Sequence, residues 1–146
     1  MLWLLRHAEA AEGHPDEARP LTPRGIEQAR IAGMALARLE VKLDVCLSSP
    51  KRRAMETAQL ACEPLGIEIV TEAAIAGSTY DPERLAAGLG NAMLVGHNPS
   101  MSDVLHDMTG ARVRLRKGGI AAVKGGELML LMTPTELAAI AGVESV

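Results

Sequence analysis

At residues 6 and 7 a guanidinium and an imidazole stand side by side, where the apolar run 2–5 of "MLWLLRHAEA" stops. Two further apolar runs end in a similar way. Residues 44–47 lead into "SSPKRRAMETA", which carries Arg53, and residues 92–95 lead into "GHNP", which carries His97. A neutral imidazole is a competent nucleophile near pH 7, because its reference pKa is about 6.5. A backbone carbonyl accepting its Nδ1 proton would leave Nε2 free to attack phosphorus. Arginine forks hold the oxygens of an anion and offset charge in a transition state. If the three strands are neighbours, Arg6, His7, Arg53 and His97 meet in one crevice with two helix N-termini, a setting suited to phosphate. His7 would be the nucleophile, Arg6 and Arg53 would clamp the phosphoryl oxygens, and a protonated His97 could donate to one of them.

The elements that must position these groups can be read from punctuation. Thr22-Pro23, Ser49-Pro50, Asp81-Pro82, Asn98-Pro99 and Thr133-Pro134 each pair a good helix cap with a proline suited to the first helical position. They predict helices over 23–39, 50–62, 82–89, 99–109 and 134–141, with Ser49 and Asn98 as caps. Apolar runs predict strands over 2–5, 44–47, 67–70, 92–95, 120–123 and 128–132. Ile26, Ala29, Gly33, Leu36 and Leu39 share one face of the first helix. The alternation favours a three-layer α/β/α fold with a largely parallel central sheet. The last two strands, joined through "KGG", read as a hairpin. One domain over residues 1–146 is the expectation.

Composition narrows the function classes. The chain has no Phe, one Trp and one Tyr, so base-stacking platforms are nearly missing, and its net charge is −3. Neither a general nucleic-acid partner nor a membrane partner is expected. No apolar stretch reaches bilayer length, and no basic-then-apolar leader precedes residue 2. Cys46 and Cys62 read as two buried thiols in a reducing compartment, so the expectation is a cytoplasmic protein.

The segments "LLRHAEA", "RPLTPRGIEQA", "LSSPKRRAMETA" and "LVGHNPSMSDV", in that order, resemble the histidine phosphatase superfamily. The short length and the "RHAEA" and "GHNP" forms are most similar to its phosphohistidine phosphatase SixA subgroup. The resemblance implies a phosphoglycerate mutase-like fold. It implies His7 as nucleophile, Arg6 and Arg53 as phosphate clamps, and His97 as a further phosphate contact. Larger family members place an acid after the third strand to protonate the leaving group, and Glu72 is the nearest match here. Two positions depart from the pattern. Ala8 replaces the usual glycine, and Gly13 stands near the place of a mutase asparagine.

The expectation is therefore a metal-independent phosphatase working through a phosphohistidine intermediate, with no cofactor. Its substrate would be a phosphorylated protein carrying phosphohistidine, with a small phosphomonoester as the alternative. A phosphate-binding module without turnover is the reading from another class. A metal held by His7 and His97 is disfavoured by the crowding arginines. Arg52 reads as a solvated rim charge, and His14, His106, Glu9, Glu12, Glu27 and Gln28 as surface groups. Met129 and Met132 read as core. The basic run 112–117, "RVRLRK", reads as a solvated loop that could instead guide an acidic phosphoprotein.

Overall fold

The computed structural model describes residues 1–146. Six strands form one sheet: β1 Leu2–Arg6, β2 Val45–Ser48, β3 Ile69–Thr71, β4 Ala92–Gly96, β5 Ile120–Lys124 and β6 Glu127–Met132. Their order is β3-β2-β4-β1-β5-β6. β3, β2, β4 and β1 pair in parallel, while β5 runs antiparallel to β1 and β6 to β5. The helices are α1 Pro23–Arg38, α2 Arg52–Cys62, α3 Pro82–Leu85, α4 Ser100–Thr109 and α5 Pro134–Ala141.

Period-two alternation along β1 divides the core. Trp3 and Leu5 face one side and pack with Ile31, Ala35 and Leu36 of α1, Ala58 of α2 and Leu137 of α5. Leu2 and Leu4 face the other side and pack with Met101, Val104 and Leu105 of α4. The three layers are thus the α1–α2–α5 face, the sheet and the α4 face, as expected for the phosphoglycerate mutase-like fold. Leu4, Leu5, Leu36 and Leu94 are fully buried, and burying such a side chain contributes about 1.5–3 kcal/mol.

Three of the five predicted caps hold. Thr22 accepts from the Gly25 amide, Asp81 accepts from the Glu83 and Arg84 amides, and Thr133 forms a capping box with Glu136. The other two are displaced. Ser49 Oγ accepts from the Lys51 amide in a local turn, which delays α2 to Arg52 and makes Arg53 its second residue. Asn98 Oδ1 reaches the Ser102 amide and hydroxyl, and Pro99 takes the cap position of α4. α3 is shorter than 82–89, because Gly88 and Gly90 take positive φ and turn the chain into β4.

The β5–β6 turn is Gly125-Gly126, both at positive φ, as a two-residue hairpin requires. Met132 packs against the core, but Met129 is 49% exposed, so the core reading fails for that residue. Met129 falls where the β5–β6 register shifts, between the pairs Ala122–Leu130 and Val123–Leu128. Leu39, placed on the buried face of the first helix, is 45% exposed because α1 ends at Arg38. No helix is long and apolar enough to cross a membrane.

Candidate active site

The pleat that sorts the core also sorts the chemistry. Arg6 continues the Leu2–Leu4 side of β1 and reaches the loop before β5, where its Nη1 donates to the Leu115 carbonyl at 3.0 Å. His7 falls on the α2 side. β4 lies beside β1 with Leu5 opposite Val95, so His97, two residues after Val95, shares the face of His7. The two rings lie 5.2 Å apart, centroid to centroid.

His7 is buried, and its Nδ1 lies 2.7 Å from the Ala8 carbonyl. A carbonyl only accepts, so the proton sits on Nδ1 and the Nε2 lone pair is free. The peptide carrying this carbonyl is fixed in turn by its Glu9 amide, which donates to Gln28 Oε1 at 3.0 Å, and the Ala8 amide donates to Thr57 Oγ1 at 3.0 Å. The departure from glycine at position 8 therefore leaves this carbonyl in place. Burial, with the charges of Arg53, Arg6 and Lys117, pushes the His7 pKa down to about 4 against the raising effect of the Ala8 contact. The ring is neutral at pH 7.

His97 places Nε2 2.7 Å from Ser49 Oγ, at the end of β2. Burial, then His7, Arg53 and Lys51, push its pKa down to about 3. The ring is neutral, and it offers a single N–H.

Arg53 is 6% exposed. Its Nη1 donates to the Asp16 carbonyl at 2.9 Å and its Nη2 to the Asp16 carboxylate at 3.2 Å. Hydrogen bonds from Arg19, then Lys51 and Arg53, hold the Asp16 carboxyl well below the usual carboxylate range. Arg52 points away, exposed and paired with Glu56 at 3.2 Å, as a rim charge should.

Four buried side-chain polar atoms have no hydrogen-bond partner: Arg6 Nε, Arg53 Nε, His97 Nδ1 and the Tyr80 hydroxyl. Three of the four belong to the residues gathered around His7. Buried polar groups are rarely left unpaired, so their concentration here marks a place shaped for an oxygen-rich ligand.

Glu72 makes no side-chain contact with these residues, although its amide donates to the Ser48 carbonyl at 2.8 Å, next to Ser49. It follows β3, so β2 and β4 lie between it and β1. Its carboxylate accepts from the Ala74 amide at 3.2 Å.

Sequence reading also missed supporting residues. Gln28 is buried, not a surface group, and its Oε1 accepts from the Glu9 amide at 3.0 Å. Glu9 is half-buried and takes hydrogen bonds from Thr22 and Arg24. Asp16 sits in a polar loop whose pairing no local pattern announces. Thr57 carried a usable signal, since it lies four residues after Arg53 and faces the same way; its hydroxyl donates to the Arg53 carbonyl at 2.7 Å.

The geometry has counterparts among known proteins. An uncharacterised protein of Picosynechococcus sp. is 29% identical over 158 residues, spanning 91% of this chain and 96% of its own. The proposed phosphoserine phosphatase 2 of Hydrogenobacter thermophilus is 37% identical over 78 residues, which are 49% of this chain and 36% of that protein. The crystal structure of the proposed phosphohistidine phosphatase SixA of Agrobacterium tumefaciens superposes with a TM-score of 0.80 at 28% identity, covering 91% of this chain and 97% of that one. The profile of the histidine phosphatase superfamily, branch 1, matches residues 2–80, the stretch that holds Arg6, His7 and Arg53. With more than half its length inside that profile and a SixA-like fold over 91% of it, the chain belongs to the histidine phosphatase superfamily and is a phosphatase.

Proposed function

We propose that the protein is a metal-independent phosphohistidine phosphatase, a single domain acting through a phosphoryl group held covalently on His7. The observation that carries this reading is the set of unpaired buried nitrogens, Arg6 Nε, Arg53 Nε and His97 Nδ1, around an imidazole whose Nδ1 is already engaged. His7 Nε2 attacks phosphorus as the bond from phosphorus to the substrate imidazole breaks. That imidazole leaves with the bonding pair, as a neutral ring when its other nitrogen already carries a proton. Water then attacks phosphorus, the bond to His7 Nε2 breaks, and inorganic phosphate departs. Arg6 and Arg53 hold the phosphoryl oxygens through both steps, and His97 donates its one N–H. The arginines supply the positive charge that a metal would otherwise bring.

The similarity to SixA favours a protein-borne phosphohistidine. A departing imidazole also needs little acid help, since its conjugate acid has a pKa of about 6.5. Hydrolysis of a small phosphomonoester is the second reading, favoured by Glu72, which stands on the same sheet edge and would protonate an alkoxide. The buried free thiols Cys46 and Cys62 fit a reducing compartment, and we place the protein in the cytoplasm.

The test is a substrate panel: a phosphohistidine protein, p-nitrophenyl phosphate and an alkyl phosphate, each with and without a chelator. Turnover of the first two, indifferent to chelator, is expected. Acid quenching during turnover should trap an acid-labile phosphoryl group on His7. His7→Ala should be inactive with an unchanged far-ultraviolet circular dichroism spectrum. Full activity in that variant would remove His7 as nucleophile, and no turnover of any substrate would leave a binding module.

A further inference from the structure

A cleft of about 580 Å³ has Arg6 in its wall, while His7, Arg53 and His97 do not line it. Its charge is lopsided. Arg6, Arg24, Arg116 and Lys117 line it, against one acidic side chain, Glu9. Glu9 is already matched by Arg24, whose Nη1 donates to it at 2.9 Å, while the Arg24 Nη2 donates to a backbone oxygen of Val146, the last residue, at 3.1 Å. Arg116 and Lys117 make no ion pair and no side-chain hydrogen bond, and both are exposed. Two cations therefore face the cleft unmatched, in a chain whose net charge is −3.

These cations are held in place relative to the phosphoryl site. The Gly118 amide donates to the carbonyls of Arg6 and His7, at 3.0 and 3.2 Å, and the Arg6 amide donates to the Gly119 carbonyl at 3.1 Å. The turn carrying Arg116 and Lys117 is thus laced to the peptide that carries the candidate nucleophile. Gly118 sits at φ +74, and a Cβ there would press on Gln28, so the approach is both left-handed and close. The Leu115 carbonyl, one residue before Arg116, accepts from both Arg6 Nη1 and the Asn98 side-chain amide. Lys117 is near enough to lower the His7 pKa.

We infer that this cleft is a second anion subsite, and that the substrate carries a carboxylate or a further phosphate beside the scissile phosphoryl group. The inference rests on the reading of Arg6 and His7 as the phosphoryl site. It gives the basic run 112–117 a specific pair of working residues, Arg116 and Lys117, while Arg112 and Arg114 lie outside the cleft lining. The second anion can come from an acidic segment of a phosphoprotein or from a small multiply charged phosphate, and the two sources share one recognition chemistry.

The experiment uses direct binding, so that it does not depend on turnover. ω-Phosphonocarboxylates with one, two or three methylenes are titrated calorimetrically against alkylphosphonates of equal length. The wild type should favour the carboxylate-bearing member at least tenfold at one of these lengths. Arg116→Ser with Lys117→Ser should bring that ratio close to one. A wild-type ratio of one at every length overturns the subsite, as does a ratio unchanged in the double variant. Failure of every phosphonate to bind overturns the phosphoryl-site reading and the subsite with it, an outcome distinct from equal binding. A pair of phosphohistidine peptides, with glutamate or glutamine neighbours, then separates the sources. Faster turnover of the glutamate peptide assigns the anion to protein. Equal turnover, with the phosphonate ratio retained, assigns it to a small molecule.

Discussion

Asp16 grips the Arg53 guanidinium at two of its three nitrogens, with the carbonyl on Nη1 at 2.9 Å and the carboxylate on Nη2 at 3.2 Å. Only Nε is left without a partner. Arg53 is therefore oriented by the loop after β1 before any ligand arrives, and the positioning residue is exposed while the positioned one is buried.

Asp16→Ala should loosen this orientation without unfolding the protein. The expected loss in kcat/KM is roughly tenfold, the scale seen when a supporting contact is removed from a charged site. Asp16→Asn keeps an acceptor near Nη2 and should lose less. The melting temperature should move little, since an ion pair with an exposed partner adds little stability. Steady-state rates on p-nitrophenyl phosphate beside a thermal melt read both. Wild-type kinetics in Asp16→Ala would mean that helix α2 alone orients Arg53.

The clamps should be worth more. Removing a positioned donor from a charged transition state costs ~2.7–4 kcal/mol, or about a hundred- to a thousandfold in rate. Arg6→Ala, Arg53→Ala and His97→Ala should each fall in that range. Arg52→Ala should stay near wild type, because Arg52 is exposed and already paired with Glu56. Equal sensitivity at positions 52 and 53 would contradict the orientation of α2.

How these side chains converge was only partly legible in the sequence. Arg6, His7, Arg53 and His97 could be named because strand ends and the order of motifs reveal them. Alternation along β1 explains why Arg6 reaches the Leu115 carbonyl while its neighbour His7 faces His97. The start of α2 was misplaced because Ser49 has two uses: its hydroxyl closes a turn with Lys51 and contacts His97, so it cannot also cap a helix at Pro50. Asp16 and Gln28 were illegible for a different reason. Their partners, Arg53 and the Glu9 amide, lie 37 and 19 residues away, and only the folded loop brings them together.

The histidines should make stability pH-dependent. Both have folded pKa values below the unfolded value of about 6.5, near 4 for His7 and near 3 for His97. The unfolded chain then binds more protons than the native one as pH falls below 6.5, so stability is full above that value and declines towards pH 4. His7 alone corresponds to about 3 kcal/mol over this window. The melting temperature should fall from pH 7 to pH 4, and His7→Asn should flatten the decline. Asp16 adds a separate loss, below the ordinary carboxylate pKa, as its depressed carboxyl is protonated. Activity follows the same chemistry. The acid limb of kcat/KM assigned to the enzyme should lie near pH 4, after correction for ionisation of the substrate; a limb near 6.5 would show that His7 titrates as an ordinary imidazole.

Glu72 separates the two substrate readings. Its carboxylate stands past β3 on the carboxyl edge of the sheet, with an Ala74 hydrogen bond as its resolved contact. A proton donor matters only where the leaving group is basic. An alkoxide needs one, whereas a phenolate with a good leaving tendency and an imidazole do not. Glu72→Gln should therefore slow alkyl phosphate monoesters by about a hundredfold or more, the usual reach of general acid catalysis. Phosphohistidine and p-nitrophenyl phosphate should stay within about twofold of wild type by the same reasoning. The three rates, measured on one preparation, decide the matter. Equal slowing of all three would make Glu72 a structural support of the loop after β3. No slowing of any would leave it a helix-turn cap and would weaken the phosphomonoester reading, because no other acidic residue follows that strand until Asp81, whose carboxylate already caps α3.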